Sequence, residues 1–136
     1  AKLLADGIGG QPGIGELLLV DVGGATTDVY SVATGAPSSG TVRFVGLPEP
    51  YAKRTVEGDL GLFHNLDTLK AIAESGGVPE GFEEAVAAMC ARNSVPSDEE
   101  QTACHLLLSK VAVRSAVDRH VGSLKNVVTP NGEVTV

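Results

Sequence analysis

The stretch that decides the fold is Glu16-Leu17-Leu18-Leu19-Val20-Asp21-Val22-Gly23-Gly24-Ala25-Thr26-Thr27-Asp28-Val29-Tyr30-Ser31-Val32-Ala33. A short apolar run over 16–21 ends on an acidic residue and a glycine pair, which predicts a buried strand entering a tight turn. The pattern resumes at Asp28 with Val29, Tyr30 and Val32, a second strand. Between the strands lie two glycines, two threonine hydroxyls and two flanking carboxylates. Glycines let a ligand approach the backbone. Successive amides in such a turn form a nest for an anion, and hydroxyls add donors to phosphate oxygens. Asp21 and Asp28 alone would repel a phosphate. They make sense beside a hydrated Mg²⁺ ion, which keeps several waters and takes carboxylate partners. The competing reading is a plain hairpin in which the glycines make the turn and the aspartates cap it.

Outward from this core, 34–40 carries Gly, Pro and Ser and reads as a turn, and 41–47 reads as a third strand of an antiparallel meander. Pro48 and Pro50 interrupt the pattern. After Gly58 the spacing becomes helical. Leu66, Leu69, Ile72 and Ala73 predict one helix closed by Gly76 and Gly77. Phe82, Ala85, Val86, Met89 and Cys90 predict a second. Ser97-Asp98-Glu99-Glu100 reads as a capping box opening a third helix to about Leu124, with Leu107, Val111, Val117, Val121 and Leu124 on its buried side. A hairpin follows over 126–136, turning at Pro130-Asn131-Gly132. Residues 1–15, rich in glycine, read as a loop or lead-in. The predicted class is α/β: one lobe over 1–136, with a meander at 16–47, a helical part at 58–124 and a terminal hairpin. The first residue is not methionine and the last four look like a strand, so a fragment of a longer protein is expected.

Bulk properties narrow the function. The chain has 136 residues, 43% hydrophobic and 20% charged, an ordinary globular balance. A net charge of −7 disfavours nucleic acid, whose phosphates need Lys and Arg. The longest apolar run is far too short to span a bilayer, so no membrane partner is expected. Two cysteines, Cys90 and Cys104, make neither a disulfide framework nor a zinc site, and a cytoplasmic protein with reduced thiols is expected. His64, His105 and His120 are scattered and read as surface or satisfied histidines. Arg114 and Arg119 read as solvated charge.

Val20 to Val29 resembles the second phosphate motif of the actin, sugar-kinase and heat-shock chaperone ATPase superfamily, whose lobes are ribonuclease-H-like. The resemblance implies that Gly23, Gly24 and Thr26 contact the β- and γ-phosphates of ATP. It also implies that Asp21 and Asp28, the candidate catalytic pair, hold water around Mg²⁺. Thr27 is a further candidate hydroxyl. A second motif, Arg54-Thr55-Val56-Glu57-Gly58-Asp59-Leu60-Gly61, lies where superfamily members place a glycine-rich turn near the nucleotide. Glu57, Gly58 and Asp59 are therefore candidate cofactor-binding residues, with helix capping and an ion pair as the alternative. Together, GGATTDVYS (23–31) and KRTVEGDLG (53–61) resemble the MutL-type accessory proteins of glutamate mutase and related adenosylcobalamin-dependent aminomutases. The implied role is a chaperone-like reactivating ATPase whose partners are the mutase subunits. The implied first phosphate loop and adenosine loop are not in this stretch, so residues 1–136 alone are expected to hydrolyse little or no ATP. Two rivals remain open: a lobe of an ATP-dependent amidohydrolase of the hydantoinase and oxoprolinase type, and a non-catalytic scaffold lobe.

Overall fold

A computed structural model describes residues 1–36, 42, 47–76, 82–84, 86–87, 95–130 and 132–136. In chain order the elements are α1 (Lys2–Asp6), β1 (Gly7–Ile8), β2 (Gln11–Pro12), β3 (Leu17–Val22), β4 (Thr27–Val32), β5 (Ala52–Glu57), α2 (Leu66–Gly76), α3 (Glu99–Val121), β6 (Asn126–Thr129) and β7 (Gly132–Thr135). Residues 82–84 and 86–87 are also helical. The mixed α/β chain is thus an antiparallel three-stranded sheet, ordered β3-β4-β5, followed by helices and a terminal hairpin. Among the described residues no helix is long and apolar enough to cross a membrane.

The chain divides into two compact units. One comprises Ala1–Leu19, Tyr30–Arg54 and Val121–Val136; the other comprises Val20–Val29 and Thr55–His120.

In the first unit, residues 1–15 depart from the expected loop. They form a short helix and a two-stranded ribbon, with Gly7 paired to Pro12 and Ile8 to Gln11. The ribbon turns on Gly9 and Gly10, whose φ of 58° and 84° lie in the left-handed region that glycine enters without a Cβ penalty. The Ile14 amide donates to the Leu4 carbonyl at 2.9 Å and the Gly15 amide to the Ala5 carbonyl at 3.1 Å, folding the segment back on its helix. The Tyr51 hydroxyl donates to Asp6 Oδ1 at 2.6 Å. That bond holds the Asp6 carboxyl below its ordinary range and the phenol above its own. The Arg54 guanidinium lies 5.3 Å from the Tyr30 ring centroid. The terminal hairpin pairs Asn126 with Thr135 through Thr129 with Gly132, as its turn residues foretold.

The second unit carries the core. Val29, Leu60, Leu62, Leu66, Leu69, Phe82, Val86, Cys104, Leu108, Ala112 and Ala116 are buried together, with Val20, Val22 and Ile72 packed against them. Leu60, Leu69 and Leu108 are fully removed from solvent, and burying each stabilises the fold by about 2 kcal/mol. Burial also pushes the Cys104 thiol up, away from its reactive thiolate form. Lys70 and Glu83 pair at 2.7 Å, which holds the Glu83 carboxyl below its usual range.

Among the described residues the third strand of the sheet is Ala52–Glu57; the strand expected over 41–47 lies mostly outside them. Of that earlier stretch only Val42 and Leu47 are described; Val42 bridges Thr135 in parallel and Leu47 is exposed. The long helix is capped by Asp98 rather than Ser97. Asp98 Oδ1 accepts the Gln101 amide at 2.8 Å, while Gln101 Oε1 accepts the Ser97 amide at 3.0 Å. Its buried stripe is Cys104, Leu108, Ala112, Ala116 and His120, one residue every four. Leu107, Val111 and Val117 flank that stripe, whereas Val121 and Leu124 are exposed. The helix stops at Val121, where Gly122 takes a φ of 76°. The first predicted helix lies where expected. Of the second, 82–84 and 86–87 are helical, and 85 and 88–90 fall outside the described residues.

Candidate functional site

The β3–β4 turn is closed by the Gly23 amide, which donates to the Thr26 carbonyl at 2.8 Å. Its shape is set by a second segment about forty residues on. The Leu62 amide donates to the Gly23 carbonyl at 3.0 Å. The Phe63 and His64 amides donate to the Gly24 carbonyl at 2.9 and 3.0 Å. The buried Thr27 hydroxyl donates to the Leu60 carbonyl at 2.7 Å. Loop 60–64 therefore grips the turn almost wholly through backbone groups.

This grip fixes which way the amides face. The peptides of the described residues are all trans, and in a planar trans peptide the C=O and N–H point in opposite directions. The carbonyls of Gly23 and Gly24 are drawn to the loop, so the N–H groups of Gly24 and Ala25 point away from it. Among the described residues, the amides of Gly24, Ala25 and Thr26 donate to no backbone or side-chain group. Three consecutive donors are thus left open at a strand–strand turn, the composition of an anion nest.

The glycines serve close approach, not unusual dihedrals. Neither Gly23 nor Gly24 has a positive φ. A Cβ on Gly24 would stand 2.8 Å from Phe63 Cδ2, and a Cβ on Gly61 would collide with the backbone of Ala25. Gly61 is buried, and Asn65 Oδ1 accepts its amide at 3.3 Å.

Each candidate residue has a definite place. Asp21 is exposed near the end of β3, and Asp28 is buried at the start of β4. The Thr26 hydroxyl donates to Asp28 Oδ2 at 3.1 Å, tying turn to carboxylate. Thr27 has its hydroxyl proton engaged inside the fold. Glu57 and Asp59 flank the exposed Gly58 in a turn where the Leu60 amide meets the Glu57 carbonyl at 3.4 Å. Both acids are held by Arg119, which the sequence suggested was ordinary solvated charge. Its Nη1 donates to Glu57 Oε2 at 2.7 Å and Asp59 Oδ1 at 2.6 Å, and its Nη2 to Asp59 Oδ2 at 2.9 Å. These bonds hold the Asp59 carboxyl below its usual range. The neighbouring His120 is buried, its Nδ1 2.9 Å from Thr55 Oγ1. His105 differs from the expectation of a satisfied ring: its ring centroid lies 5.3 Å from that of Phe63, and its buried Nε2 has no partner among the described residues. Burial pushes its pKa down. No cluster of three or more His, Cys, Asp or Glu that could hold a metal occurs among the described residues.

The loop and Arg119 were the parts that sequence reasoning missed. Gly61 was the available signal, since a glycine outside a turn marks close backbone approach.

Fold and turn together define a mixed α/β protein whose antiparallel sheet presents an amide-rich turn braced by a following loop. The whole chain, residues 1–136, matches the MutL protein family. It is 39% identical over 142 aligned positions to Protein MutL of Clostridium tetanomorphum, covering 98% of this chain and 31% of that relative. The chain belongs to the MutL family and spans about a third of the length of the curated relative it matches. No solved structure matches it.

Proposed function

We propose that this chain is the phosphate-binding lobe of a ribonuclease-H-like, actin-type ATPase that reactivates an adenosylcobalamin-dependent mutase of the glutamate mutase type. The observation that carries the reading is the open run of Gly24, Ala25 and Thr26 amides, the first two aimed away from the loop that pins the carbonyls of Gly23 and Gly24. Membership of the MutL family supports the choice of partner.

The donor set suits a nucleotide tail with its metal. The three amides would donate to the oxygens of a β- or γ-phosphate, and the Thr26 hydroxyl is the side-chain donor within the turn. The carboxylates of Asp21 and Asp28 would hold the waters of a Mg²⁺ ion, which binds through one or two carboxylates rather than an all-protein cage. When bound, Mg²⁺ neutralises charge developing on the transferred phosphoryl group. Asp21, being exposed, is free to take part, whereas Asp28 is already aligned by Thr26. Thr27 contributes by fixing Leu60 rather than by touching the phosphate. This lobe binds and orients, and a second lobe completes the clamp.

The test is ATP·Mg titration and hydrolysis in the full-length protein, with and without the mutase. Mutase-stimulated hydrolysis is expected, and Asp21→Asn should weaken Mg²⁺-dependent ATP affinity by about tenfold or more. Unchanged affinity in Asp21→Asn refutes its role. Turnover of a small cyclic amide without a mutase effect would instead place the chain among the hydantoinase-type enzymes.

A further inference from the structure

The proposed site leaves unexplained why the last turn of α3 holds two acids some sixty residues away. Arg119 spans both ends of the Glu57-Gly58-Asp59-Leu60 turn, with one nitrogen shared between Glu57 and Asp59 and the second on Asp59. The fork matches a carboxylate in a way that the point charge of a lysine does not. Glu57 is only 16% exposed, so the pair is partly shielded; Asp59, at 47%, is more open. Next door, Thr55 meets the buried His120 at 2.9 Å, so consecutive helix residues grip the same end of β5.

The consequence lies one residue further on. Leu60 follows Asp59 directly, and its carbonyl accepts the Thr27 hydroxyl. The next amides, those of Leu62, Phe63 and His64, hold the carbonyls of Gly23 and Gly24. We propose that Arg119 is a positioning residue for the phosphate turn, acting through the Glu57–Leu60 turn and loop 60–64. Glu57 and Asp59 then serve as the handle by which α3 holds the loop, and neither touches the nucleotide. This rests on the proposed reading for its functional meaning, while the mechanical link stands on the hydrogen bonds alone.

The experiment uses the full-length protein as wild type, Arg119→Gln, Arg119→Lys, Asp59→Asn and the Arg119→Gln/Asp59→Asn double variant. Hydrogen exchange is read at the Leu62, Phe63 and His64 amides, and ATP·Mg affinity in parallel. Arg119→Gln should speed exchange at those amides about fivefold, and Arg119→Lys about twofold, while amides 70–73 of α2 stay unchanged. The double variant should be no worse than Arg119→Gln, because both changes break one link. ATP·Mg affinity should fall in the same order. Unchanged loop exchange in Arg119→Gln, or an equal rise in α2, would overturn the proposal. Additive losses in the double variant would do so too, since they would give Asp59 a direct contact with nucleotide. If wild type binds no ATP·Mg, the proposed function fails and the exchange data alone decide the mechanical link.

Discussion

Among the described residues, the Gly9-Gly10 and Gly23-Gly24 turns use glycine for opposite reasons. Gly9-Gly10 closes the small β1–β2 ribbon with positive φ at both positions, and a Cβ on either would meet nothing within 4 Å. Gly23-Gly24 closes the β3–β4 turn without positive φ, in a crowded place where Phe63 presses on Gly24. In the first turn the absence of a side chain relieves backbone sterics. In the second it makes room for loop 60–64, whose amides occupy the Gly23 and Gly24 carbonyls and leave the Gly24, Ala25 and Thr26 N–H groups open. One dipeptide therefore marks a simple reversal in one place and a built recess in another. The neighbouring loop, not the dipeptide, tells them apart.

The difference predicts a ranked set of substitutions. The largest effect is expected at Gly61, whose added Cβ would strike the Ala25 backbone rather than a movable side chain. Gly61→Ala should destabilise the protein by about 3 kcal/mol, measured by chemical denaturation, because neither segment can yield without losing the hydrogen bonds between them. Gly24→Ala should cost less, about 1–2 kcal/mol, since the obstacle is the edge of the Phe63 ring; Phe63→Leu in the same chain should recover part of the loss. Failure of Phe63→Leu to help would mean that Gly24 is needed for backbone reasons after all. Gly9→Ala should cost about 1 kcal/mol, and Gly9→Asn only a few tenths, because Asn tolerates the left-handed region. Equal costs for the two would break the contrast between the turns.

The smallest expected effect is one of pH. Arg119 holds the Asp59 carboxyl below its ordinary value of 3.8. A depressed folded-state value adds stability that is fully present above 3.8 and is lost as pH falls through the folded value. Exchange at the Leu62 to His64 amides, corrected for the intrinsic pH dependence, should therefore rise only below about pH 3.8. Arg119→Gln should abolish that rise.

Much of this was legible in sequence because apolar periodicity and turn chemistry coincide. Leu17 to Val22 and Thr27 to Val32 are strands, Leu66 to Gly76 is a helix, and 126–135 is a hairpin, each near its predicted place. The third strand escaped because Ala52-Lys53-Arg54-Thr55-Val56-Glu57 has no apolar face to read; its one large aliphatic residue, Val56, is exposed. The stripe on α3 was misplaced because Ala112, Ala116 and His120 carry the burial that apolar periodicity assigned to Val and Leu. The cap slipped by one residue because Ser97 and Asp98 are both good caps, and Gln101 decides between them. In the candidate site, the glycines, threonines and aspartates stood together in one decapeptide. The bracing loop could not be read, because its contribution is made by backbone amides. Arg119 could not be read either, because its partners lie 60 and 62 residues away.

The central claim is that the open amides of Gly24, Ala25 and Thr26 receive a phosphate. Hydrogen exchange of the segment 22–28 in the full-length protein, with and without saturating ATP·Mg, tests it most directly. The account predicts slowed exchange at those three amides on adding ATP·Mg, and much weaker slowing in Asp21→Asn. Exchange there that stays unchanged while ATP·Mg binds elsewhere, or no binding at all, would contradict it.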